Sequence, residues 1–147
     1  MKNLIALVAF FSFGLLYTQN EHFNLKKGIG IQGYDPVSYF EGLPKKGNKT
    51  ISADHKGATY YFSSEDNKEK FLRNPSAFEP QYGGWCAYAM GVNGEKVKIN
   101  PETFKIIDGK LYLFYNAFFN NTLEAWNEDE DANKKKADEN WTKLIKS

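Results

Sequence analysis

An Asp-Gly pair between two runs of strand-forming residues constrains this chain more than any other feature. Thr103-Phe104-Lys105-Ile106 alternates, Lys110-Leu111-Tyr112-Leu113-Phe114-Tyr115 follows, and Asp108-Gly109 stands between them. Asp-Gly accepts the positive φ of a tight hairpin turn, so the stretch predicts a β-hairpin. A second hairpin is expected over residues 50–62. There Thr50-Ile51-Ser52-Ala53 alternates, breaks at Asp54-His55-Lys56-Gly57, and gives way to the β-formers Ala58-Thr59-Tyr60-Tyr61-Phe62. Ser63-Ser64-Glu65-Asp66 then starts a helix, with a serine cap and acids in its first turn. Phe71 and Leu72 are its expected inward residues, and Asn74-Pro75 stops it. Pro75 to Phe78 makes one further turn.

The remaining segments are simpler. His22 to Ile31 reads as an extended entry. Asp35 caps a short helix with Pro36 at its first position, burying Val37 and Phe40. Lys96-Val97-Lys98-Ile99 alternates like a strand. From Ala117 onward the pattern is helical, with Phe119, Leu123 and Trp126 on one face. After a break over residues 127–131, Ala137, Trp141, Leu144 and Ile145 mark another. Hairpins and helices are interspersed without a βαβ series. The expected fold is therefore α+β: a single small domain with two β-hairpins, a capped central helix and C-terminal helices.

Residues 1–19 read as a signal peptide and residues 20–147 as the folded domain. Lys2 precedes the apolar run Leu4 to Leu16, and Tyr17-Thr18-Gln19-Asn20 turns polar. The chain is thus expected to be exported, periplasmic or secreted, with no membrane anchor after cleavage. Removing residues 1–19 takes away Lys2 and no acid, leaving 18 basic against 18 acidic residues. That balance argues against nucleic acid or anionic membranes as partners, which need a basic excess. Cys86 is the only cysteine, so no internal disulfide forms. Stability must come from the core, which an aromatic content of 16% can supply.

Cys86 lies in Pro80-Gln81-Tyr82-Gly83-Gly84-Trp85-Cys86-Ala87-Tyr88. Adjacent glycines permit close backbone approach. In the first turn of a helix, Cys86 would face unpaired N–H groups that favour its thiolate. A small, inert, buried thiol is the other reading, and on these residues both stand. If functional, Cys86 is expected at the wall of a pocket with Tyr82, Gly83, Gly84, Trp85 and Tyr88 as the ligand-binding residues. Cys86, His55 and His22 are the metal candidates. Cleavage after Gln19 would give Asn20-Glu21-His22, whose amine, amides and imidazole suit square-planar Cu(II) or Ni(II). Glu128-Asp129-Glu130-Asp131 lacks the spacing of a calcium loop and reads as a solvated helix start. No phosphate loop, Ser-His-Asp set or zinc-protease helix is present, so no catalytic constellation is assigned beyond the candidate Cys86.

The ordered motifs Asp35-Pro36-Val37, Lys56-Gly57-Ala58-Thr59-Tyr60-Tyr61-Phe62-Ser63-Ser64, Lys68-Glu69-Lys70-Phe71 and Asn74-Pro75 form a pattern. Together with Tyr82-Gly83-Gly84-Trp85-Cys86-Ala87 and Asp108-Gly109-Lys110-Leu111-Tyr112-Leu113, they resemble the secreted YHS-domain proteins. The resemblance runs from about Gly33 to Ile145. It implies a small binding module for a transition-metal ion or another small ligand. Metal-handling versions carry cysteines at positions that here correspond to Ser38, Ser63 or Ser64, and Asn67, so that soft-metal thiolate cluster is missing. Described selenoproteins with this architecture point instead to redox use of Cys86. Three readings follow. One is an exported binding module with its ligand near Cys86, another a single-cysteine thiol redox protein, and the third a structural or partner-binding domain with an inert cysteine.

Overall fold

The computed structural model describes residues 21–147, and the expected signal peptide, with Asn20, lies outside the described residues. The chain is a small α+β domain. β1 (Leu25–Lys26) and β2 (Ile29–Gly30) pair antiparallel, so the expected extended entry contains a minimal hairpin. β3 (Asn48–His55) and β4 (Ala58–Phe62) form the first expected hairpin. β2 runs parallel to β4, giving a sheet of order β1-β2-β4-β3. His55 pairs with Ala58 and so ends the strand, leaving Lys56-Gly57 as the turn.

Helix α1 (Glu65–Arg73) begins as its sequence predicts: Ser64 Oγ accepts from the Asn67 N–H at 3.1 Å. Phe71 is fully buried, packed against Tyr60 and Phe62. Leu72 is 53% exposed, because only one of two adjacent helical positions can face the core. α2 (Ala87–Asn93) follows Cys86. β5 (Asn100–Ile107) and β6 (Lys110–Phe114) form the second expected hairpin around Asp108-Gly109, with φ of 50° and 73°.

Two expectations are corrected. Lys96 to Ile99 is not a strand; the Val97 carbonyl instead accepts from Cys86 N–H at 2.9 Å, tying the segment to the start of α2. Ala117 does not open a helix either. β7 (Asn116–Ala117) and β8 (Asn120–Asn121) make a third hairpin, with Phe118 and Phe119 at its tip. Only then come α3 (Thr122–Glu128) and α4 (Glu130–Lys146). Asp129 divides them, its carboxylate accepting from Ala132 N–H.

β6 runs between two cores. Leu111 and Leu113 face one built from Tyr39, Tyr60, Phe62 and Phe71, while Tyr112 and Phe114 face another built on Met90, Trp126 and Ala137. The period-2 alternation of a strand buried on both sides produces this division. Cys86 belongs to the first core and its neighbour Ala87 to the second, which places the thiol at the seam.

Burial raises the phenol pKa values of Tyr39, Tyr60 and Tyr82 well above the ordinary value. Tyr82 also donates to Asp138 Oδ1 at 2.7 Å, which favours its neutral form further. Below about pH 10 these phenols are neutral in both the folded and unfolded chains, and their contribution is fully present. Above it the unfolded chain releases protons that the folded one retains, so stability falls. The slope approaches about 4 kcal/mol per pH unit for three such groups. Urea unfolding at pH 9, 10 and 11 checks this; equal midpoints at all three would contradict it.

Candidate functional site

Cys86 stands immediately before α2, and none of its surface reaches water. The Tyr115 N–H donates to its Sγ at 3.3 Å. Sγ also lies 3.4 Å from Thr122 Oγ1. Thr122 has one hydroxyl proton and donates it to the Tyr115 carbonyl at 2.7 Å. The thiol proton therefore goes to Thr122 Oγ1, and Cys86 both donates and accepts. The side chain makes no capping bond to α2. This is the geometry of a buried, hydrogen-bonded sulfur that does not cap α2.

In front of this thiol opens a cleft of about 350 Å³. Tyr88, Val92, Val97, Tyr115 and Thr122 wall it, and Cys86 lies at its floor. α2 supplies one wall. The segment Val97 reaches it through the Cys86–Val97 backbone bond, and the opposite wall is the end of β6 running into the third hairpin. The lining is chiefly apolar and aromatic, with the Thr122 hydroxyl, the side chains of Asn93 and Asn120 and the carboxylate of Glu95 as polar groups.

The six residues expected to line one ligand site are divided. Cys86 and Tyr88 line this cleft. Tyr82 and Gly83 line a smaller cavity of about 170 Å³ with Lys56, Glu79 and Trp141. Gly84 and Trp85 line neither. The glycine pair receives the chain's own entry segment instead of a ligand. Asn24 N–H donates to the Gly83 carbonyl at 2.8 Å, Asn24 Nδ2 to the Gly84 carbonyl at 3.0 Å, and Trp85 Nε1 to the His22 carbonyl at 2.7 Å. Gly83 has φ of 62°, and a Cβ there would lie 2.7 Å from the His22 oxygen. Positive φ and backbone contact together require glycine at this position.

The positions where the resemblance places metal-binding cysteines do meet in space. They gather around Asp35, a fully buried carboxylate. Asp35 Oδ1 accepts from Val37 N–H at 2.8 Å and from Ser38 N–H at 3.4 Å. Oδ2 accepts from Ser63 N–H at 2.8 Å, Ser63 Oγ at 2.6 Å and Asn67 Nδ2 at 2.8 Å. Ser38 Oγ donates to the Asp35 carbonyl and accepts from Lys45 N–H. Ser64 is the cap of α1 and stands outside the cluster. Thus a fully hydrogen-bonded carboxylate joins the loop before β3 to the start of α1. The sequence shows Asp35 as a cap; its bonds to Ser63 and Asn67, 28 and 32 residues away, carry no local signal.

The metal candidates lie apart. His55 Nε2 stands 3.2 Å from Glu79 Oε1, and Lys56 Nζ lies 3.7 Å from the other Glu79 oxygen. His22 meets Trp141 edge-on at 6.3 Å. Neither imidazole approaches the Cys86 thiol, whose polar contacts are Tyr115 and Thr122. The square-planar reading of His22 depends on Asn20, outside the described residues. Among the described residues, no group of three or more His, Cys, Asp or Glu side chains is placed to hold a metal ion. No helix among them is long and apolar enough to cross a membrane. In comparison with known proteins, no family model, no curated protein and no solved structure matches this chain.

Proposed function

We propose that this protein is an exported, YHS-like binding module that takes a small, largely aromatic or apolar group in the cleft beside Cys86. The observation that supports this reading is the cleft itself: about 350 Å³, walled by Tyr88, Val97 and Tyr115, with few polar groups. Such a volume holds one ring with short substituents and matches the lower range of small-molecule sites. Thr122, Asn93 and Asn120 are available to orient a hydroxyl or amide on the ligand. Cys86 serves as a small hydrogen-bonded floor, with its proton donated to Thr122. The thiol-redox reading needs a thiol that meets its oxidant and a resolving partner, and the chain has one cysteine. Metal coordination by Cys86 needs further ligands, and its two polar neighbours are a backbone N–H and a threonine hydroxyl.

The test is an amide chemical-shift titration with phenol and with indole. Shifts are expected at Tyr88, Val97, Tyr115 and Thr122, and Ala89→Phe, which fills the cleft, should remove them. Saturating shifts confined to the Lys56–Trp141 cavity, or none at millimolar probe, would refute the proposal.

A further inference from the structure

The smaller cavity beside Gly83 shares no lining residue with the Cys86 cleft, and its chemistry differs. Three aromatic residues, Phe23, Tyr82 and Trp141, stand on it. Phe23 and Trp141 close on Gly83, where an added Cβ would lie 3.2 Å and 3.0 Å from them. Trp141 meets Tyr82 edge-on at 6.3 Å. The Tyr82 hydroxyl is committed to Asp138, which leaves its ring for the cavity.

The rest of the lining is mostly polar, and much of it has bonding capacity to spare. Tyr60 is 5% exposed, lines the cavity, and makes no hydrogen bond through its phenol among the described residues. Burial and the nearby charge of Glu79 keep that phenol neutral, with a proton to donate. Glu79 receives His55 Nε2 at 3.2 Å on one oxygen and Lys56 Nζ at 3.7 Å on the other. A carboxylate has about four lone-pair sites, so roughly two stay open. Lys56 keeps donors beyond that single long contact, and the Gln81 amide adds a donor and an acceptor. One acid and one base give the lining no net charge.

These features together select an occupant. A lining without net charge disfavours a free cation or anion, which would be taken from water without a matching charge. A plain aromatic guest would leave the buried Tyr60 hydroxyl and the Glu79 carboxylate unmet, at a cost for each. Hydroxyls both donate and accept, and C–H faces lie favourably against the negative faces of aromatic rings. A polyhydroxylated ring carries both. The volume, about 170 Å³, suits one such ring rather than a chain of them. We propose that this cavity is a carbohydrate site that takes a single pyranose, its C–H face against Trp141 and its hydroxyls on Tyr60, Glu79 and Gln81. An adjoining opening of about 560 Å³ shares Phe23, Lys56 and Trp141, leaving room for a group attached to the ring.

The experiment is an amide chemical-shift titration with the methyl pyranosides of glucose, galactose and mannose. At least one should give saturating shifts at Tyr60, Gln81, Gly83 and Trp141, with none in the Cys86 cleft. Tyr60→Phe keeps the ring, removes a hydroxyl that has no partner in the described chain, and should retain the thermal midpoint. It should weaken binding about fivefold, and Glu79→Gln, which keeps the shape, at least about tenfold. Unchanged dissociation constants in both variants would overturn the proposal, as would the lack of a saturating shift with all three sugars. Tighter saturation of the same cavity by tetramethylammonium, acetate or phenol would also overturn it, by assigning a charged or plain aromatic guest. Because the two sites share no residue, indole shifts at Tyr88 and Tyr115 report on the Cys86 cleft separately.

Discussion

Asp35→Asn is expected to destabilise the protein by about 3–5 kcal/mol although it changes the side chain by a single atom. Five donors converge on the carboxylate, and all of them point hydrogen toward it. An amide replaces one acceptor oxygen with a donor. Turned one way, its NH₂ confronts Val37 and Ser38 N–H groups; turned the other, it confronts Ser63 and Asn67. Rotating the Ser63 hydroxyl relieves one clash and leaves the Asn67 amide and the Ser63 backbone unmet. Hydrogen bonds to a charged acceptor are worth about 1.5–3 kcal/mol each, and an unmet buried donor costs about 1–3 kcal/mol. Water has no access, since Asp35 is wholly buried. By contrast, Ser63→Ala removes one of five donors and should cost about 1–2 kcal/mol. Urea unfolding of the two variants gives the ranking directly. A loss below 1 kcal/mol for Asp35→Asn would show that the carboxylate does not hold these segments together.

The legible parts of this fold are those where a residue's partner lies a few positions away. Asp108-Gly109 gives its hairpin because the turn, both strands and the alternation fall within fifteen residues. Ser64 and Asn74-Pro75 bound α1 for the same reason. Lys96-Val97-Lys98-Ile99 shows the limit of this reasoning. The run alternates, but a strand needs a neighbour, and Val97 instead meets the amide of Cys86. Phe119 shares helical spacing with Leu123 and Trp126, yet Asn121 rather than Ala117 begins the helix, its side chain accepting from Leu123 N–H. Three residues earlier, the same apolar periodicity therefore describes a turn. The glycine pair posed a harder problem, because space left by a missing Cβ can admit a ligand or another stretch of chain. Here His22 and Asn24, some 60 residues away, fill it. The thiol's partners Tyr115 and Thr122 are likewise distant in sequence, and no spacing rule connects them to Cys86.

Native-state alkylation of Cys86 by iodoacetamide is expected to be at least about 10³-fold slower than alkylation of the unfolded chain, given the free energy that separates folded from open states. The thiol has no exposed surface, and its proton rests on Thr122. Reaction requires both loss of that proton and opening of the seam between the two cores. Although Cys86 lines the cleft, none of its surface is open to water, so a reagent in the cleft meets the sulfur only when the packing opens. Rising urea should accelerate the reaction in step with unfolding measured by tryptophan fluorescence, since Trp126 is buried at the same seam's second core. Cys86→Ala should then lower stability while leaving indole shifts in the cleft, because the thiol is its floor and not its ligand. Rapid alkylation in native buffer, with a rate rising well below the ordinary thiol pKa of about 8.5, would instead establish an accessible thiolate. Under that result the redox reading would displace the binding one, and the oxidised partner of Cys86 would have to come from outside the chain.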